Sequence, residues 1–177
     1  SASGVQIGVD PLPYRLDYAV VTSSGFVTEA IRVIVKGAGW YRRLDLRRDT
    51  GGQWSCDVEN SGAADLPAPG GDMSAVAGAL DCDLGRSPST NTMPVRRHNL
   101  HREPGAVDFL MAWVSVPDLS VQPSRQRYEH VRLDPDDTSI VRYVGEHRDY
   151  VGELRFDRDG VVITYPDLAQ RVGTSGS

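Results

Sequence analysis

The sequence predicts a mainly β protein built from antiparallel strands. Apolar and polar residues alternate with a period of two along much of the chain, and clusters of Gly, Pro, Asp and Asn separate the alternating runs. The third observation is the length of 177 residues, which suits one domain that buries most of its apolar surface. We therefore expect a single β domain over residues 1–177.

The first clear alternating runs are residues 27–35, 40–48 and 53–58, and Gly-rich turns separate them. In the second run, the alternation places Arg42 on the same side as Trp40 and two leucines. Because consecutive strands joined by short turns usually pair with each other, these runs predict a three-stranded antiparallel meander.

The middle of the chain holds three further segments. Residues 59–72 are rich in Gly, Pro, Ala and Asp and have no period, which predicts a long inserted loop. Residues 73–80 fit either a short helix or a strand. Residues 106–116 are apolar on both faces, which is typical of a strand buried on both sides or packed at the centre of a curved sheet.

The last third has the clearest strand pattern. Residues 140–144, 150–157 and 161–165 read as strands, and the sequence Asp-Arg-Asp-Gly at 157–160 is a hairpin turn signal between the last two. A proline ends the third of these strands, and Asp167 is expected to cap a short helix that runs through residue 171. We expect residues 173–177 to form a disordered tail.

Residues 81–100, DCDLGRSPSTNTMPVRRHNL, concentrate hydrogen-bonding groups in an otherwise β-patterned chain. If the segment is extended, Asp81 and Asp83 share one face. Such a carboxylate pair can bind a metal ion, share a proton, or form salt bridges with Arg96 or Arg97. We favour the salt bridges across the turn.

Composition limits the classes of partner. A net charge of −5 without a basic run argues against a nucleic-acid partner, and no apolar run approaches the roughly 20 residues that span a bilayer, so we expect no stable membrane insertion. Cys56 and Cys82 form no metal-binding pattern, and His98-x-x-His101 lies in a segment expected to be extended. We expect reduced thiols, no metal, no cofactor and a cytoplasmic location; the oligomeric state is left open.

Large aromatic residues recur on separate predicted strands. If the sheet curls, several of them could line one concavity; for each residue taken singly, the alternative is plain core packing. No motif of a hydrolase, P-loop or dinucleotide site occurs, so no catalytic residue is named. The aromatic residues are Trp40, Trp54, Trp113, Tyr128, Tyr143 and Tyr150.

Four stretches carry a resemblance to a known family. DCDL (81–84), SPSTNTMPVRR (87–97), QRY (126–128) and FDRDGVVITYPDL (156–168) occur in the order seen in the bacterial proteins described as putative glycolipid-binding. The resemblance implies a spiral β-roll, a highly curved antiparallel sheet or open barrel with little helix, similar to bacterial lipoprotein carriers and wrapped around an apolar cavity. Its motif positions are Thr90, Asn91, Thr92, Arg96, Arg97, Gln126, Arg127 and Tyr128.

The chain also departs from that family. Ser89 stands where the family usually has an aromatic residue, His98 stands where it has an aliphatic one, and residues 59–72 look inserted. These departures imply a smaller or more polar cavity mouth, and hence a ligand other than a long-chain glycolipid.

The expected function is binding of a hydrophobic or amphipathic, glycolipid-like small molecule in the cavity of the β-roll. The alternatives are an enzyme, such as a cyclase or isomerase of specialised metabolism that uses the same cavity, and a structural role without a ligand. Because adjacent strand residues face opposite ways, we expect at most one of Arg96 and Arg97 to enter the cavity. The candidate ligand-binding residues are Asn91, Arg96, Arg97, Trp40, Trp54, Trp113, Arg127, Tyr128 and Tyr143.

Overall fold

The structure, a computed structural model, describes residues 1–146 and 149–173. These residues form a mainly β fold with one short α-helix, as predicted. The strands are β1 Ala2–Gly8, β2 Tyr14–Thr22, β3 Thr28–Gly37, β4 Trp40–Arg48, β5 Trp54–Gly62, β6 Asp81–Leu84, β7 Ala106–Val114, β8 Val121–Leu133, β9 Ser139–Gly145, β10 Tyr150–Phe156, β11 Val162–Tyr165 and β12 Ala169–Gln170. The α-helix α1 is Thr92–Arg97, and 3-10 turns cover Met73–Val76 and Pro88–Asn91.

The first sheet is an antiparallel meander in the order β1-β2-β3-β4-β5. It confirms the predicted pairing of the three runs and adds two strands before them. The alternation in sequence becomes burial on one face, where Leu16, Val33 and Leu44 are fully buried. This apolar face is what holds the register of the meander.

The second sheet has seven strands in the order β12-β11-β10-β9-β8-β7-β6 and is strongly curled. The pairs β8–β9, β9–β10, β10–β11 and β11–β12 are antiparallel, whereas β6 and β7 run parallel. The expected hairpin turn forms between β10 and β11, since Asp157 N–H donates to Val161 O at 2.9 Å. The curled β fold is therefore confirmed, but the residues described do not show the expected apolar cavity.

The chain divides into two compact units. The first unit comprises Ser1–Ser87 and Leu110–Ser124, and the second comprises Pro88–Phe109 and Arg125–Ser177. The first unit buries the apolar face of the meander, whereas Tyr128, Tyr143, Leu154 and Phe156 are buried in the second. The expectation of one domain stays a prediction.

The segment at residues 81–100 differs from the extended chain that we expected. Only β6 is a strand; a 3-10 turn and α1 follow it. Pro94 lies in the first turn of α1, where its missing N–H costs no hydrogen bond, and Met93 and Val95 are buried. The burial of these apolar side chains favours the helix over the alternating pattern. The strand argument about Arg96 and Arg97 therefore does not apply.

Two other local expectations are wrong. The loop expected over residues 59–72 is shorter, because β5 continues to Gly62. The helix expected from Asp167 through residue 171 does not form; the φ of 60° at Asp167 instead places it in a tight turn, which is closed by Leu168 N–H donating to Tyr165 O at 3.1 Å. The chain then returns as β12 and pairs with β11. The expected tail falls, apart from Gly173, outside the described residues.

Candidate functional site

The second unit carries four tyrosines on neighbouring strands, and we call them the tyrosine row: Tyr128, Tyr143, Tyr150 and Tyr165. Tyr128 on β8 lies directly opposite Tyr143 on β9, with ring centroids 5.1 Å apart. Tyr143 is 5.9 Å from Tyr150 and 6.0 Å from Tyr165, and the last two rings are 5.6 Å apart. These separations are typical of favourable aromatic pairs.

Glycines make room for two rings of the tyrosine row. A Cβ at Gly145 would lie 2.7 Å from Tyr143 Oη, and a Cβ at Gly152 would collide with Tyr150. Each glycine follows its tyrosine by two residues and so shares its face of the strand. The repeated Tyr-Val-Gly at 143–145 and 150–152 is the sequence signal that our sequence analysis missed.

A buried hydrogen-bonded chain holds one end of the tyrosine row. Asn91 Nδ2 donates to Tyr128 Oη at 2.6 Å, and Tyr128 Oη donates to Gln126 Oε1 at 3.1 Å. All three residues are at most 3% exposed. The structure thus brings together Asn91, Gln126 and Tyr128, and two hydrogen bonds among them pair buried polar groups, which are costly to leave unpaired.

The arginines of the motif lie in different surroundings. Arg97 is half-buried, with its guanidinium carbon 5.6 Å from the ring centroid of Phe109, which in turn packs edge-on against Tyr128 at 5.7 Å. Arg96 is exposed. Arg127 points away from the tyrosine row, since β8 alternates, and it pairs with exposed Asp108 at 2.8 Å.

The three tryptophans lie in the first unit. Trp54 is buried, and its indole N–H donates to Ala79 O at 3.0 Å, which accounts for it as a core residue. Trp40 packs over Gly37 and lines a pocket of about 400 Å³. Trp113, half-buried on β7, packs near Gly85. The predicted concavity shared by tryptophans and tyrosines stays a prediction, because the two sets belong to different units.

A pocket of about 320 Å³ lies at the accessible end of the tyrosine row, and we call it the tyrosine pocket. Its lining is Tyr150, Tyr165, Pro166, Asp167 and Leu168. Tyr150 Oη donates to Pro166 O at 3.2 Å, which fixes the turn against the ring. Sequence reasoning missed this pocket because it assigned residues 167–171 to a helix, whereas the positive φ of Asp167 makes the turn that shapes the wall.

The raised pKa values of the two cysteine thiols argue against a cysteine nucleophile. Burial raises the pKa of Cys56 to about 11 and that of Cys82 to about 12, so both free thiols stay protonated at neutral pH. Burial, together with the charge of Arg102, lowers the pKa of His101. Within residues 1–146 and 149–173, no group of three His, Cys, Asp or Glu side chains is arranged to hold a metal ion.

The part of the chain that the structure describes contains no helix that is both long and apolar enough to cross a bilayer. The only α-helix found there, α1, has six residues.

Two comparisons with known proteins find matches that cover most of the chain. A family model described as "Putative glycolipid-binding" matches residues 1–171. The fold is similar to the crystal structure of a DUF1089 family protein from Pseudomonas aeruginosa, with a TM-score of 0.71 and 25% sequence identity over 97% of this chain and 91% of that chain. Among curated proteins, none matches.

Proposed function

The chain belongs to the family described as "Putative glycolipid-binding", and from that premise we propose that it binds an amphipathic, glycolipid-like molecule at the tyrosine pocket. The observation that carries the proposal is the accessible end of the tyrosine row, where aromatic rings and an apolar turn enclose about 320 Å³. Ligand pockets typically measure about 300–1,000 Å³. The tyrosine pocket therefore suits one part of an amphipathic molecule.

The lining supports a division of roles between an acyl chain and a head group. The rings of Tyr150 and Tyr165, together with Pro166 and Leu168, offer apolar surface. Leu168 is 38% exposed, so a bound alkyl chain would remove it from water. Asp167 supplies a carboxylate that accepts hydrogen bonds from sugar hydroxyls.

In this proposal the buried motif residues position the tyrosine row rather than touch the ligand. Asn91 and Gln126 hold the hydroxyl of Tyr128, and Tyr128 packs on Tyr143, the neighbour of both rings at the tyrosine pocket. Arg97 supports the same row through Phe109. Loss of any of these contacts would loosen the wall that the ligand meets.

The test is a titration with octyl glucoside below its micelle concentration, followed by calorimetry, with glucose and octanol as partial ligands. Leu168→Ser should weaken octyl glucoside binding about tenfold, because it removes most of one buried apolar side chain. Val151→Ser is the matched control, since Val151 is 54% exposed and does not line the tyrosine pocket. Binding that is absent, or equally weak in both variants, contradicts the proposal.

The enzymatic alternative, a cyclase or isomerase acting in the same pocket, stays a prediction. An enzyme would need an acid–base group in contact with the bound molecule. Recovery of bound octyl glucoside without chemical change supports a binding protein, whereas a modified product contradicts it.

A further inference from the structure

Arg42 is a buried cation in the first unit. It lies on β4 between Trp40 and Leu44 on the face that packs into the core, and it is only 6% exposed. Arginine is almost never buried to this extent unless an acid pairs with it. The buried carboxylate of Asp45 on the same strand does have an oppositely charged partner, because Arg32 Nε donates to it at 2.6 Å.

The partners of Arg42 are backbone carbonyls. Nη1 donates to Asp118 O at 2.7 Å and also to Pro67 O, and Nη2 donates to Leu66 O at 3.3 Å. A guanidinium has five N–H donors, so one on Nε and one on Nη2 remain. Within residues 1–146 and 149–173, no carboxylate lies within ion-pair distance of Arg42, so its positive charge has no ion-pair partner there.

Arg42 also lines the pocket of about 400 Å³, which we call the Arg42 pocket. Besides Arg42, the lining includes Trp40, Asn60, Ser61 and Asp65. The amide of Asn60 and the hydroxyl of Ser61 add donors. Asp65 is the one acidic residue of the lining, and it is exposed.

We propose that the Arg42 pocket binds the oxyanion of a carboxylate or phosphate group, which supplies the missing charge for Arg42. The three carbonyls hold the guanidinium in place before a ligand arrives, so binding need not order this side chain. The buried charge of Arg42 acts at low dielectric, whereas water and salt screen the exposed charge of Asp65. The residues that carry this inference all lie in the first unit, so it does not rest on the function proposed above.

The experiment follows the indole N–H signals of the three tryptophans by NMR during titration with inorganic phosphate at constant ionic strength. The signal of Trp40 should shift and saturate. That of Trp54, whose N–H is bonded to Ala79 O, should stay in place. Absence of a saturating Trp40 shift with both phosphate and acetate overturns the proposal.

Two further probes distinguish a free anion from a lipid head group. Dihexanoyl phosphatidic acid carries the phosphate on short acyl chains, and dihexanoylglycerol is a neutral lipid with the same chains and no phosphate. Tighter binding of the first than of inorganic phosphate identifies a lipid head group as the source. Equal binding identifies a free anion, and binding of the neutral lipid at the Arg42 pocket contradicts the proposal.

Variants separate recognition from folding. Arg42→Lys keeps the charge but loses the planar fork, and it should weaken phosphate binding about tenfold. Because Arg42 also joins loops, Asp65→Asn supplies a test that leaves those contacts intact. Removal of this repelling charge should tighten phosphate binding about threefold.

Asp57→Asn is the control for Asp65→Asn. Asp57 is also exposed and does not line the Arg42 pocket. Its replacement changes the net charge by the same amount as Asp65→Asn, and it should leave phosphate binding unchanged. Weaker binding by Asp65→Asn, or equal tightening by both variants, overturns the proposal.

Discussion

Two buried polar clusters in this protein use their hydrogen bonds in different ways. In the second unit, Tyr128 both receives a hydrogen bond from Asn91 and donates one to Gln126. In the first unit, Arg42 donates three hydrogen bonds to backbone carbonyls, and two of its N–H donors remain beside its positive charge. The cluster around Tyr128 is thus explained by architecture alone. The cluster around Arg42 has hydrogen-bonding capacity beyond what the described chain uses.

The largest expected effect tests how much of Arg42 is architecture. Arg42→Met should lower the free energy of unfolding by about 3 kcal/mol, because three carbonyls lose their donor. Urea denaturation gives this value from the midpoint and slope. Arg47→Met, at an exposed position of β4, should change stability by less than about 0.5 kcal/mol. A loss no larger than that of the control would show that Arg42 does not hold the loops.

An intermediate effect tests the closed cluster. Tyr128→Phe should lower stability by about 1–2 kcal/mol, since it leaves the buried amides of Asn91 and Gln126 without their shared hydroxyl. Thermal unfolding followed by circular dichroism measures it. The control is Tyr14→Phe, which keeps a buried ring and should have little effect. Equal stability of both variants would remove the contrast between the clusters.

The smallest effect concerns Arg127, which the sequence placed among the ligand-binding residues. Because its ion pair with Asp108 is exposed, Arg127→Ala should cost under about 0.5 kcal/mol. It should also leave the affinity for octyl glucoside unchanged in the calorimetric titration. A clear loss of affinity would show that Arg127 takes part in ligand binding.

The sequence predicted the local parts of the fold well. The meander of β3, β4 and β5 and the hairpin of β10 and β11 follow from alternation and from turns of a few residues. Such signals depend on neighbours in the chain and not on distant contacts. The family resemblance extended the prediction to a curled sheet, and the family model confirms the membership.

The remaining features depend on contacts that alternation does not encode. The helix at Thr92–Arg97 forms because Met93 and Val95 find a buried environment. The wall of the tyrosine pocket depends on the positive φ of Asp167. The sequence suggested a helix cap at this aspartate and did not indicate the turn. Arg42 was correctly placed on the apolar face of β4, but its hydrogen-bonding capacity became visible only with the three carbonyls around it.

The paired Tyr-Val-Gly sequences bear on how β9 finds its correct alignment with β10. In the native pairing, Tyr143 faces Gly152 and Gly145 faces Tyr150. A slip of two residues would keep every side chain on its own face, so apolar alternation alone does not oppose it. That slip would instead set Tyr143 against Tyr150 or Leu154 and leave the space beside a glycine unfilled. Of these alignments, only the native one pairs each tyrosine with a glycine on the other strand.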